Sequence, residues 1–281
     1  MNHHLYADDT QIYTSCQLSD VTVSCAALEL CLNKVSDWMS CNRLKLNHSK
    51  TEFIIYSSKY SNVPEDLVLH IGDFSVTPSE QVRNLGVIMD KHMSMNAQVK
   101  NVCSSAMISV RHLGKIRPYL TDEAAKSVAH ALITSKVDNC NSLLAGLPAS
   151  TLKPIQRVLN ITARIVSRCP KHTHVPILLK SLHWLPANLR VHFKVLLLLY
   201  KALKGNTPYL KDLVQHHQSR PGLRSGSDQL LHIPRTRVSY GDRSFASFAC
   251  RAYNSLPRYI RNSLTTDCFK SRLKTHLFNS F

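Results

Sequence analysis

Two adjacent carboxylates, Asp8 and Asp9, stand within Leu5-Tyr6-Ala7-Asp8-Asp9-Thr10-Gln11-Ile12-Tyr13, where apolar and polar residues alternate on either side. The alternation predicts a hairpin with the acids at its turn. Carboxylates so placed can bind hard divalent cations. A phosphoryl-transfer centre with two Mg²⁺ ions about 3.5–4 Å apart needs such oxygens from more than one chain segment, because each ion must be held while it clamps the attacking or leaving oxygen. One such segment is visible, and Asp is also a common turn residue for purely local reasons, so ordinary turn chemistry stays open. A second set is cationic: Arg157, Arg164 and Arg168 recur roughly on one helix face, suited to tracking phosphates or to simple solvation. His183-Trp184 could stack on a base, although a tryptophan between leucines also suits a core. Cys169, His172 and His174 surround Pro170 without a clear fourth zinc ligand, which favours plain loop residues. No Gly-x-Ser-x-Gly elbow, phosphate loop or His-Glu-x-x-His motif competes.

Tyr6-Ala7-Asp8-Asp9, within His4-Leu5-Tyr6-Ala7-Asp8-Asp9-Thr10-Gln11-Ile12-Tyr13, resembles the metal-binding box of reverse transcriptases of non-LTR, LINE-like (jockey-type) retrotransposons. The order of the downstream motifs strengthens the resemblance. Leu46-Asn47-His48-Ser49-Lys50-Thr51-Glu52 is similar to the family's next palm motif, and Val82-Arg83-Asn84-Leu85-Gly86-Val87-Ile88-Met89-Asp90 to the motif that closes the palm. Leu182-His183-Trp184-Leu185-Pro186, Tyr200-Lys201-Ala202-Leu203, Tyr240-Gly241-Asp242-Arg243-Ser244-Phe245 and Leu273-Lys274-Thr275-His276-Leu277-Phe278 look like the C-terminal part of the same elements. The resemblance thus runs through essentially the whole chain.

It implies an RNA-directed DNA polymerase with Mg²⁺ as cofactor, RNA and DNA as template and primer, and deoxynucleoside triphosphates as substrates where the site is complete. By the same resemblance Asp8 is the direct Mg²⁺ ligand, Asp9 a weaker partner, and Tyr6 and Ala7 lie against the primer end. Lys50 falls where the family places a lysine; an ammonium near the leaving pyrophosphate could neutralise charge or donate a proton. Beside Glu52 it equally suits an exposed turn. Leu85-Gly86 fits the primer-gripping motif, since glycine allows close backbone approach, and it also suits a simple strand glycine. In the family the fingers, the first metal-binding aspartate and the template-clamping segment precede the Tyr-Ala-Asp-Asp box. The expectation is therefore a C-terminal fragment, inactive alone. The alternatives are a non-catalytic basic nucleic-acid-binding module and a decayed open reading frame.

Charge adds an independent argument. Residues 1–130 hold 12 Lys+Arg against 13 Asp+Glu, whereas residues 131–281 hold 23 against 5, so the whole net charge of +17 arises in the second half. Such a half is the electrostatic footprint of a polyanion partner, most often nucleic acid. Nine scattered cysteines, with no Cys-x-x-Cys pair and no signal peptide, argue for reduced thiols in the cytoplasm or nucleus rather than secretion. The longest apolar run, residues 195–200, is far short of the roughly 20 residues that cross a bilayer, so no membrane partner is expected.

The elements that must position these residues read as α+β. By the resemblance, residues 1–90 are expected to form a small antiparallel palm remnant, 91–180 a helical thumb-like region and 181–281 a basic C-terminal region. A helix is expected over 20–41, capped by Ser19 or Asp20, with Leu28, Cys31, Val35 and Trp38 on its core face. Strands are expected at 44–46, 53–56 and 82–89, with a hairpin of 67–71 and 74–76 around Gly72-Asp73. Helices follow at 95–116, 122–144, 152–168 and 188–203, punctuated by Pro118, Pro148, Pro170 and Pro186. Residues 218–227 suggest a linker, 230–240 a strand pair, and 245–254 and 268–279 two closing helices.

Overall fold

In the computed structural model, which describes residues 1–64, 66–217 and 230–281, the alternating N-terminal residues form a hairpin. Strand β1 (Asn2–Tyr6) pairs antiparallel with β2 (Asp9–Tyr13), closing on Tyr6 opposite Asp9 and leaving Ala7-Asp8 as a two-residue turn. Helix α1 (Val21–Cys41) follows. Two further hairpins complete the strands: β3 (Leu69–Ile71) with β4 (Phe74–Val76), and β5 (Gln81–Asn84) with β6 (Val87–Asp90). Among the described residues every sheet has two strands. These elements belong to a first compact unit, Met1–Ala97.

The core of this unit is small. Val21 and Cys25 of α1 pack with Leu67 and Leu69, flanked by Leu28, Leu32, Phe53, Ile55 and Val63. Side chains one turn apart on α1 also hold β3: Glu29 accepts the His70 N–H at 2.7 Å, and Asn33 accepts the Gly72 N–H at 2.8 Å. They satisfy donors that a lone two-stranded sheet leaves open at its edge.

Several expectations are corrected. Trp38 is 61% exposed, because the buried face of α1 runs through positions 21, 25, 28 and 32 and has rotated away by residue 38. Ser19 donates to the Asp20 carboxylate instead of either residue capping the helix. Residues 44–46 form no strand, and Phe53 contributes a single parallel bridge to Pro78 where 53–56 was expected to be a strand. The expected strand over 82–89 folds back on itself at Leu85-Gly86, whose φ values of 45° and 83° match a two-residue hairpin turn with both central residues left-handed. Asp90 then organises the exit from β6. Its carboxylate accepts the backbone N–H groups of His92, Ser94 and Met95 and the Ser94 hydroxyl.

The second unit, Gln98–Phe281, is predominantly helical. Helix α2 (Asn96–Ile116) leads into it, and α3 (Asp122–Ala129), capped by the Thr121 hydroxyl, continues through a π-helical turn at His130–Thr134 into α4 (Ser135–Asp138). The helix expected to reach 144 stops there, since Asn139 is extended and Cys140 has φ of 51°. Next come α5 (Ala149–Val166), α6 (Val175–Ser181), α7 (Ala187–Leu203) and α8 (Pro208–Lys211). Last are α9 (Ser239–Arg243), α10 (Phe245–Asn254), α11 (Arg258–Arg261) and α12 (Thr266–Asn279). In place of the strand pair expected at 230–240, one bridge joins His216 to Leu231 and α9 begins at Ser239. The linker expected at 218–227 lies outside the described residues.

Helix α7 is the centre of this unit because it is apolar on more than one face. Val191, Val195, Leu196, Leu199, Tyr200 and Ala202 are buried, and the helix packs against α5, α10 and α12. The Tyr200 hydroxyl donates to the Ser263 carbonyl at 2.6 Å, and its ring stacks on Phe269 at 4.1 Å. Arg190, its ionisation disfavoured by burial and supported by Asp138, pairs with that carboxylate at 2.7 Å. Residues 91–180 and 181–281 thus share one helical core beyond Ala97.

Candidate functional site

Strand β5 is where the chemistry-bearing segments of the first unit meet. From β2, the Gln11 side-chain amide donates to the Asn84 amide oxygen at 2.7 Å, across 73 positions of sequence. From the Lys50 segment, the Glu52 carboxylate accepts the Arg83 N–H at 3.2 Å, and Phe53 accepts the Ser79 N–H at 2.7 Å. That segment is also pinned by His48, whose ring lies 4.9 Å from Phe74. Leu85-Gly86 forms the turn directly after β5. Tyr6, Asp9 and Gln11 share one face of the β1–β2 hairpin, by its alternating register, and Gln11 carries that face to Asn84.

Both hairpin turns are strained in the same way. Ala7 has φ of 54° and Leu85 φ of 45°, at the first position of a two-residue turn where glycine or asparagine would be relaxed. Gly86 supplies the second left-handed residue of its turn, and a Cβ there would meet nothing within 4 Å. Its place is explained by φ rather than by a close approach within the chain.

The Asp8 and Asp9 carboxylates are exposed and make no hydrogen bond or ion pair with described residues, so their oxygens are open to a cation. Mg²⁺ commonly takes one or two carboxylates together with water and substrate phosphates, which suits Asp8 with Asp9 at a single ion. A two-ion clamp needs a second carboxylate segment, and no group of three or more His, Cys, Asp or Glu converges among the described residues. Lys50 is exposed at the end of a short 3₁₀ turn, His48–Lys50, on the same segment as Glu52.

In the second unit the three arginines do converge. Arg157, Arg164 and Arg168 line an open groove of about 820 Å³, with Arg117 and Lys171 beside them and Gly114, Pro118, Ile161 and Ile165 as its apolar floor. Two of the five cations are committed. Arg117 is buried, and its guanidinium donates to the Ile165, Val166 and Leu120 carbonyls and to Asp122. Arg168 donates to the Leu120 carbonyl at 3.0 Å. The hydrogen bond from Arg117, reinforced by its charge, holds the Asp122 carboxyl below its ordinary value. Arg157, Arg164 and Lys171 have no such partner among the described residues, and the Arg164 Nε is buried without an acceptor.

Other candidates are not assembled. Trp184 is buried, and its indole N–H donates to His130 Nε2 at 3.2 Å, so it is a core residue rather than a stacking platform. Cys169 donates to the Ser167 carbonyl, and Cys169, His172 and His174 form no ligand cluster. All nine thiols are free; Cys25 and Cys250 are buried, whereas Cys16, Cys41 and Cys140 are exposed. No helix of the described residues is long and apolar enough to cross a membrane.

Sequence reasoning missed Gln11 and Asn84 as the link between hairpins, and Arg117 and Lys171 as groove residues. The only local signal for Arg117 is its place before Pro118 and the Thr121 cap. No family model, curated protein or solved structure matches the chain.

Proposed function

We propose that this chain is the C-terminal part of a non-LTR retrotransposon reverse transcriptase: residues 1–90 from the palm, the following helices thumb-like, and the basic second half a nucleic-acid contact surface. The observation that carries the reading is the meeting at β5 of three segments resembling successive palm motifs, held by Gln11–Asn84 and Glu52–Arg83. Strain at Ala7 and Leu85 supports it, because uncommon backbone conformations are retained where a turn presents functional groups. The groove lined by Arg157, Arg164 and Arg168 supports the nucleic-acid partner.

On this reading Asp8 is the Mg²⁺ ligand of the parent polymerase, Asp9 assists it, and Lys50 faces the leaving pyrophosphate. Tyr6, Ala7, Leu85 and Gly86 bear on the primer. These residues alone do not complete the reaction, because the oxygens for a second ion come from elsewhere in the parent enzyme. A primed RNA template with Mg²⁺ and deoxynucleotides tests this: the chain retains the template and adds no nucleotide. Extension that Asp8→Ala abolishes would overturn the incomplete-site account. Failure to retain the template would overturn the nucleic-acid reading.

A further inference from the structure

The groove between the end of α2 and the face of α5 has an unbalanced charge inventory. The C-terminal ends of helices bring exposed carbonyls and partial negative charge. Arg117 and Arg168 answer them directly, and Asp122 is matched by Arg117. What remains is Arg157, Arg164 and Lys171, with no carboxylate among the groove's lining residues. Arg157 and Arg164 are seven residues apart, two turns of α5 and roughly 10 Å along its axis. Guanidinium groups that line one groove with no carboxylate among its lining residues suit an anion.

An exposed aromatic residue adjoins the groove's lining in the chain. Tyr119 is 88% exposed and follows Pro118, a residue of the groove floor, in the 3₁₀ turn Arg117–Tyr119. That turn is held by the Arg117 guanidinium on the α5 carbonyls, so the exposed ring sits on an anchored backbone. Clustered cations and an exposed aromatic on the residue after a lining residue are the two parts that a single-strand site uses, in which phosphates follow the charges and a base stacks on the ring. The groove's volume lies in the range of pockets that take one small molecule or a few linked groups, which admits a nucleotide of a single strand.

We infer that this groove binds single-stranded nucleic acid, with phosphates on Arg157, Arg164 and Lys171 and a base on Tyr119. The inference deepens the nucleic-acid part of the proposed function and rests on it. It also separates the groove's contact residues from Arg117 and Arg168, which hold the groove's shape.

The test is anisotropy of labelled oligo(dT) and of a blunt duplex of equal length with the full chain at one low salt concentration. Arg157→Gln/Arg164→Gln weakens oligo(dT) binding by about tenfold or more, while an equal loss of charge at residues that do not line the groove, Lys204→Gln/Lys211→Gln, costs less than about threefold. Tyr119→Ala weakens oligo(dT) roughly fivefold or more and leaves the duplex unchanged. Tyr119 is exposed, so its removal leaves the fold intact. If the chain binds oligo(dT) and the Arg157/Arg164 variant behaves like the control, the groove inference falls and the proposed function stands. If Tyr119→Ala affects duplex and single strand alike, the single-strand assignment falls. If the unaltered chain binds neither, both fall.

Discussion

The Gln11 amide donates to the Asn84 amide oxygen at 2.7 Å, and through this bond the hairpin bearing Asp8 and Asp9 is tied to the strand that leads into Leu85-Gly86. In that hairpin Leu5 and Tyr6 are about two-thirds exposed, and its sheet has two strands among the described residues. A lone two-stranded hairpin is marginal in water. Gln11→Ala should cost about 1 kcal/mol locally. Hydrogen exchange should accelerate over residues 2–13 and stay unchanged in α5 and α7; unchanged protection in the hairpin would mean that Gln11 is not its anchor.

Relief of turn strain should act in the opposite direction. Ala7→Gly and Leu85→Asn each place a residue that tolerates positive φ where an ordinary side chain now sits. Each should stabilise the first unit by about 1 kcal/mol in urea unfolding. A loss of stability in both would show that these side chains make contacts outweighing the strain.

Asp90 offers a pH signature. Burial raises its carboxyl pKa, but the Ser94 and Met95 N–H groups, the Ser94 hydroxyl and the His92 N–H more than compensate, so the net value lies below the ordinary 3.8. A depressed folded-state pKa contributes stability that is present above the unfolded value and lost as pH falls through the folded one. Asp90→Asn should therefore destabilise by ~1–3 kcal/mol at neutral pH and flatten the loss of stability below pH 4. An unchanged acid limb in the variant would contradict the assignment.

In the second unit the acid sensitivity begins near neutrality. Burial, with Arg190 nearby, lowers the His130 pKa below 6.5, and burial also lowers that of His192. Both are held neutral by the fold, so stability is full above about pH 6.5 and falls as pH drops further. Protonated His130 has no lone pair for the Trp184 N–H at 3.2 Å. With Trp38→Phe leaving Trp184 as the sole indole, emission should shift as pH falls below 6.5 and His130 takes up a proton, and His130→Asn should remove most of that shift. A pH-independent Trp184 signal would argue against the bond.

How far the sequence discloses this arrangement depends on the range of the forces involved. Helices α2, α5, α7, α10 and α12 are legible because their apolar spacing reports a local period, and the turn at Asp8 because alternation brackets it. Trp38 is not, since a heptad-like stripe continues past the point where α1 leaves its core. The fold-back at Leu85 is hidden because leucine is a poor turn residue, and only its φ of 45° shows the constraint. The arginine face of α5 is readable from spacing alone. Its division into structural and uncommitted cations depends on Arg117, which reaches it from about 48 residues away.

The nucleic-acid reading is tested most directly by the salt dependence of binding. The full chain should bind a primed RNA–DNA template at low salt, with log K falling linearly against log salt. The slope should be about −0.9 for each duplex phosphate neutralised, and the response nearly independent of sequence. Affinity that is absent at low salt, or present and insensitive to salt, would contradict the account.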